Sequence, residues 1–123
     1  MRYTVLMENT QKSVLELGRE IWIKPVALSN FKVYNLSCKQ LTSLHGCPER
    51  ADAFLDVSMN YLTSLVGAPS CVIGNFNCNW NKLTSLVGSP LYVSGHFNCS
   101  FNKLNNLDGA PKKIGGDFEC SDN

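Results

Sequence analysis

The chain has 123 residues, 44% of them hydrophobic and 17% charged, with a formal net charge of +1. That length fits one domain with a buried core, and the near-neutral balance lacks the basic stripe of a nucleic-acid binder. No apolar run reaches the ~18–20 residues that cross a bilayer, and Met1–Met7 is too short in apolar residues for a secretory signal, so a cytoplasmic protein without membrane contact is expected.

In chain order, residues 1–29 are expected to form an N-terminal cap, because the open end of a stacked fold needs an atypical cover. Tyr3–Met7 reads as a strand. Ser13 and Glu16 have the spacing of a capping box, which predicts a short helix ended by Gly18. A faint copy of the later pattern surrounds Leu15, Gly18 and Ile23.

From residue 30 to residue 123 a period of 21 governs the chain. Leu41–Leu44, Leu62–Leu65, Leu83–Leu86 and Leu104–Leu107 keep it without slippage, and each is followed by Gly-x-Pro, from Gly46 and Pro48 to Gly109 and Pro111. A constant period means stacked supersecondary units. Phe76 and Cys78 alternate with Asn75, Asn77 and Asn79, the period of two of a short strand with one buried face. Tyr34/Leu36, Leu55/Val57, Phe97/Cys99 and Phe118/Cys120 repeat that alternation. After the strand come Asn60, Asn81, Asn102 and Asn123, whose side-chain amides suit backbone groups that a turn leaves unpaired; Lys39 occupies that column one unit earlier. Leu83 and Leu86 should point inward from the opposite wall. Roughly 12 residues holding both Gly and Pro separate the strands and leave no room for a long helix. The return wall should be extended, polyproline-like or a single 3₁₀ turn.

Cys78, Cys99 and Cys120 form one column that also holds Val57 and Leu36. A position shared by Cys, Val and Leu is an apolar packing position, so reduced, buried cysteines are expected. No C-x2-C pair exists, which argues against zinc; no metal and no cofactor are expected. Cys38, Cys47 and Cys71 share no spacing. His45 and His96 fall in different columns, and no P-loop, nucleophile elbow or dinucleotide fingerprint is present. Asp117, Glu119 and Asp122 cluster without a recognised calcium loop. No catalytic residue is assigned, and a non-enzymatic protein is expected.

The run Ile73-x-x-Phe76-x-Cys78-x-x-Asn81-x-Leu83-x-x-Leu86, repeated from Ser94 to Leu107, resembles the leucine-rich-repeat pattern. The Gly-x-Phe-x-Cys-x-x-Asn and Leu-x-Gly-x-Pro variant is similar to small repeat proteins encoded by tailed phages and some bacteria. The resemblance covers residues 30–123. It implies a mainly β fold, a right-handed parallel β-solenoid without long helices. One departure is the opening Leu, replaced by Ser94 or Gly115, with Val72, Val93 and Ile114 filling that volume one residue earlier.

In that family outward strand positions line a concave binding face. Here they are Phe54, Asp56 and Ser58; Asn75, Asn77 and Asn79; His96, Asn98 and Ser100; then Asp117, Glu119 and Ser121. The column before the asparagines, Cys38, Met59, Trp80 and Phe101, has two open readings. Its side chains either fold over the turn and pack on their neighbours, or form an apolar stripe of the kind that marks partner sites. Lys82 and Lys103, with Tyr61 in their column, give a short basic edge best read as solvated. The expected binding set is Met59, Trp80, Phe101, Asn77, Asn79, His96, Asn98, Ser100, Asp117 and Glu119. The resemblance implies a phage- or mobile-element-encoded modulator or inhibitor of a bacterial host protein, or a defence component, in the host cytoplasm. The rival is an assembly protein that self-associates through the open-ended strand of Phe118 and Cys120.

Overall fold

The structure, a computed structural model, describes residues 12–17, 26–28 and 31–123. Its strands in chain order are β1 (Val26–Leu28), β2 (Phe31–Asn35), β3 (Arg50–Ala51), β4 (Phe54–Asp56), β5 (Cys71–Val72), β6 (Phe76–Asn77), β7 (Tyr92–Val93), β8 (Phe97–Asn98), β9 (Lys113–Ile114) and β10 (Phe118–Glu119). They build two sheets, ordered β1-β2-β4-β6-β8-β10 and β3-β5-β7-β9. Every pairing is parallel except β1 with β2. The period of the sequence is thus one coil of a parallel β-solenoid of about four turns. Among the described residues there is no α-helix.

The register explains why the columns repeat residue type. Phe76 pairs with Phe97, and Phe97 with Phe118. Neighbouring strands lie ~4.8 Å apart, so identical side chains in one column must stack. Successive phenyl centroids are 5.4 and 5.3 Å apart. Leu41, Leu62, Leu83, Leu44, Leu65 and Leu86 close the core from the far side, all fully buried. Val72 and Val93 complete it and Ile114 packs against it, in the volume left by the missing opening leucine.

Two expectations change. The return wall is more than extended: Ala51, Val72, Val93 and Ile114 belong to a second hydrogen-bonded sheet. The helix expected at Ser13 is a 3₁₀ turn, Val14–Leu17. Its surroundings give the reason. Ser13 bridges Ser43 in parallel, the Leu15 N–H donates to the His45 carbonyl at 2.8 Å, and Val14 enters the core. The segment is held by the wall beneath it as a further coil, at a spacing of 30 residues. Tyr3–Met7, Gly18 and Ile23 lie outside the described residues.

All six cysteines are free; Cys78 and Cys99 are buried, whereas Cys120 is exposed. Their thiols donate to the carbonyls of Asn98 at 3.3 Å and Glu119 at 3.4 Å respectively. Burial, reinforced by the neighbouring Cys120, pushes the Cys99 thiol up to about 12 from 9.0. Burial also pushes Cys47 up to about 12. A thiol whose folded value lies above its unfolded one keeps its proton in the fold while the unfolded chain loses it. Stability therefore falls as pH rises from about 9 towards 12. Denaturant titrations at pH 8 and 11 should show that fall, and it should be smaller in Cys99→Val, which installs the side chain this column holds at Val57. An equal fall in both proteins would refute the assignment to Cys99.

Candidate functional site

Each coil leaves its first strand through a corner held in an unusual backbone state. Cys38, Met59, Trp80, Phe101 and Asp122 have φ of 55°, 55°, 55°, 56° and 54°. Left-handed backbone costs an L-residue ~1–2 kcal/mol and persists only where the surroundings over-determine it.

At Met59, Trp80 and Phe101 two side chains do so, and at Cys38 and Asp122 one of the two. The first is a polar residue at the strand's end. Asn77 Oδ1 accepts the Asn79 N–H at 3.0 Å, and Asn98 Oδ1 accepts the Ser100 N–H at 3.0 Å. Asp56 Oδ1 accepts the Ser58 N–H at 2.9 Å, and Asn35 Oδ1 the Ser37 N–H at 3.0 Å. These are Asx turns, a local side-chain bond that bends the backbone. The second is the ladder. Asn81 Nδ2 donates to the carbonyls of Val57, Cys78 and Asn79 while its Oδ1 accepts the Leu62 N–H. Asn60, Asn102 and Asn123 do the same in their coils.

So pinned, the corner residues form one column. Met59 is 56% exposed, Trp80 52% and Phe101 37%. They also touch: the Trp80 and Phe101 rings stack at 4.2 Å and 4°, and Cys38 Sγ lies 3.7 Å from Met59 Sδ. Both sequence alternatives are thus partly realised, since the side chains pack along the column yet remain open to solvent. Tyr61, half-exposed, borders the stripe with the Lys82 ammonium 5.2 Å from its ring centre. Met59, Asn60, Tyr61 and Trp80 enclose a shallow groove of about 440 Å³. Sequence reasoning left Tyr61 out of the binding set; its place beside Met59 follows from the 21-residue column Gln40, Tyr61, Lys82 and Lys103.

The strand-face residues of the expected set carry structural duties. Asn77 and Asn98 make the Asx turns, and Asn98 Nδ2 also donates to Glu119 Oε2 at 3.1 Å. Ser58 and Ser100 are buried. Asn75 Oδ1 accepts the His96 N–H at 2.8 Å, and His96 Nδ1 accepts the Asp117 N–H at 2.8 Å, so the imidazole repeats in its coil what the amide does in the one before. Phe118 is half-buried against Phe97. Leu104, Leu107, Cys120 and Asn123 line an open hollow of about 240 Å³ at the last coil. Among the described residues no group of three or more His, Cys, Asp or Glu side chains gathers as a metal site, and no helix is long and apolar enough to cross a membrane.

Asn79 stands apart. Its Oδ1 is buried without a hydrogen-bond partner, in a column that otherwise holds Ser37, Ser58, Ser100 and Ser121. An orphaned buried acceptor costs ~1–3 kcal/mol. Asn79→Ser should therefore stabilise the protein by about 1 kcal/mol, read as a higher denaturant midpoint with an unchanged slope. A lower midpoint would show that the amide packs better than a serine.

The class this architecture defines is a parallel β-solenoid of short repeats. No protein-family model, no curated protein and no solved structure matches the chain.

Proposed function

We propose that this protein is a non-enzymatic protein-binding module, acting through the Met59–Trp80–Phe101 stripe with Tyr61 beside it. The observation that carries the reading is the column of left-handed, half-exposed apolar residues in successive coils. Glycine would sit in that backbone without strain, and serine or asparagine would hydrate better, yet the sequence places Met, Trp and Phe there. Backbone strain held at one surface by the Asx turns and the asparagine ladder supports a functional role for that surface, and contiguous exposed apolar side chains mark partner sites.

The resemblance to leucine-rich repeats of phage and bacterial type extends the proposal. The partner is a bacterial host protein, and the chain a phage- or mobile-element-encoded modulator or inhibitor, or a defence component, in the host cytoplasm. Asn77, Asn79, His96, Asn98, Ser100, Asp117 and Glu119 would flank the stripe rather than anchor the partner. The test is a tagged capture from bacterial lysate beside Trp80→Gly/Phe101→Gly. A stoichiometric protein lost in the variant supports the proposal; a protein held equally by both refutes the stripe. Light-scattering detection of an oligomer dispersed by a charge at Phe118 would favour assembly through β10 instead.

A further inference from the structure

The corner face differs in charge from the rest of the chain. The corner segments carry Lys39, Lys82 and Lys103, all exposed, against one carboxylate, the corner residue Asp122. The strand-end carboxylates Asp56 and Glu119 accept bonds from the neutral Ser58 and Asn98 side chains, so they are held in place but keep their charge. Asp122 lies one coil further along. The overall charge of +1 hides this local excess.

The aromatic geometry sharpens the point. Trp80 and Phe101 cover each other face to face, and Tyr61 lies under the Lys82 ammonium. A nucleic-acid strand needs successive free ring faces for its bases, and here no two follow one another. Each of the two rings thus spends one face on the other, while both residues stay partly open to solvent. Three exposed ammonium groups favour carboxylates. The groove between Met59, Tyr61 and Trp80 accepts an apolar side chain between them.

We infer that this corner docks an acidic peptide segment of a protein partner, with carboxylates on both sides of an apolar anchor. The inference rests on the protein-binding role proposed above. The groove takes the anchor, Lys82 and Lys103 face the carboxylates on one side, and Lys39 faces them on the other. Rim charges of this kind govern encounter rate and salt dependence more than final affinity.

The probes are fluorescein-labelled peptides read by anisotropy: Asp-Leu-Glu-Phe-Asp-Leu-Glu, its Asn/Gln analogue, its all-Lys analogue, and a labelled oligothymidylate. The acidic peptide should bind about tenfold or more tighter than the amide analogue and weaken as NaCl rises. Lys82→Glu/Lys103→Glu and Trp80→Gly/Phe101→Gly should each weaken it by about tenfold. Equal binding of the amide analogue, unchanged binding by the glycine variant, or tighter binding of the oligothymidylate would each overturn the inference. If the acidic peptide fails while lysate capture still depends on Trp80 and Phe101, only the acidic character of the partner is refuted; if both fail, the protein-binding role falls with it.

Discussion

Asn81→Ala is expected to lower the unfolding free energy by about 3–4 kcal/mol and the melting temperature by about 10–20 °C. The side chain accepts the Leu62 N–H at 3.0 Å and donates to the carbonyls of Val57 at 3.1 Å, Cys78 at 3.2 Å and Asn79 at 3.2 Å. Alanine leaves a buried N–H with no acceptor, which costs ~1–3 kcal/mol by itself, and removes further bonds worth ~1 kcal/mol each. The position adds to the damage. In a solenoid each coil is held only by its neighbours, and Asn81 ties its own corner to the carbonyl of Val57 in the coil before. A globular domain is stable by only ~5–15 kcal/mol, so this one amide carries a large share. The exposed Asn105→Ala, which removes an oxygen that accepts from the neighbouring Asn106 amide, should change stability by under about 0.5 kcal/mol. A loss below about 1 kcal/mol in Asn81→Ala would show that water replaces the ladder.

The ladder and the core were legible in the sequence because each depends on one residue type at a fixed spacing. Phe76 and Cys78 inward, Leu83 and Leu86 opposite, and an amide after the strand admit few other arrangements at a period this short. The second sheet was not legible, since its strands sit in consecutive apolar runs, Cys71-Val72-Ile73 and Leu91-Tyr92-Val93, without the polar alternation that surrounds the equally short Phe76–Asn77. The first coil was hidden for a related reason. Leu15 stacks on His45 through backbone bonds, which carry no residue signature.

The left-handed turn of the corner was not legible, because the residues that occupy it do not suggest one. Met, Trp and Phe are poor left-handed residues, so nothing at Met59, Trp80 or Phe101 announces the turn. The signal lay three residues earlier in the chain, in Asp56, Asn77 and Asn98. A polar residue at a strand's end reads equally as a ligand-facing position or as an Asx turn. The hydrogen bonds to Ser58, Asn79 and Ser100 decide for the turn.

Trp80→Gly/Phe101→Gly should weaken partner binding by about 100-fold or more while shifting stability by no more than about 2 kcal/mol. Buried or half-buried aromatic anchors at an interface centre are worth ~2 kcal/mol or more apiece, and two in direct contact act as one unit, so simple addition would overstate the loss. On the stability side the terms oppose one another. Removing the stack forfeits ~0.5–1.5 kcal/mol beyond the area it covers, and each glycine adds ~0.5–1 kcal/mol of unfolded-chain entropy. Against this, glycine at φ of 55° and 56° releases ~1–2 kcal/mol of strain at each site. Alanine keeps the strain, so Trp80→Ala/Phe101→Ala should be less stable than the glycine pair, an ordering that core packing alone would not produce. Calorimetric titration against the captured partner, with melting curves of all three proteins, reads both halves. A folded glycine variant with full affinity would exclude the stripe as the site. A glycine variant destabilised well beyond the alanine one would mean that left-handed strain at these two corners is too small to matter beside glycine's chain entropy.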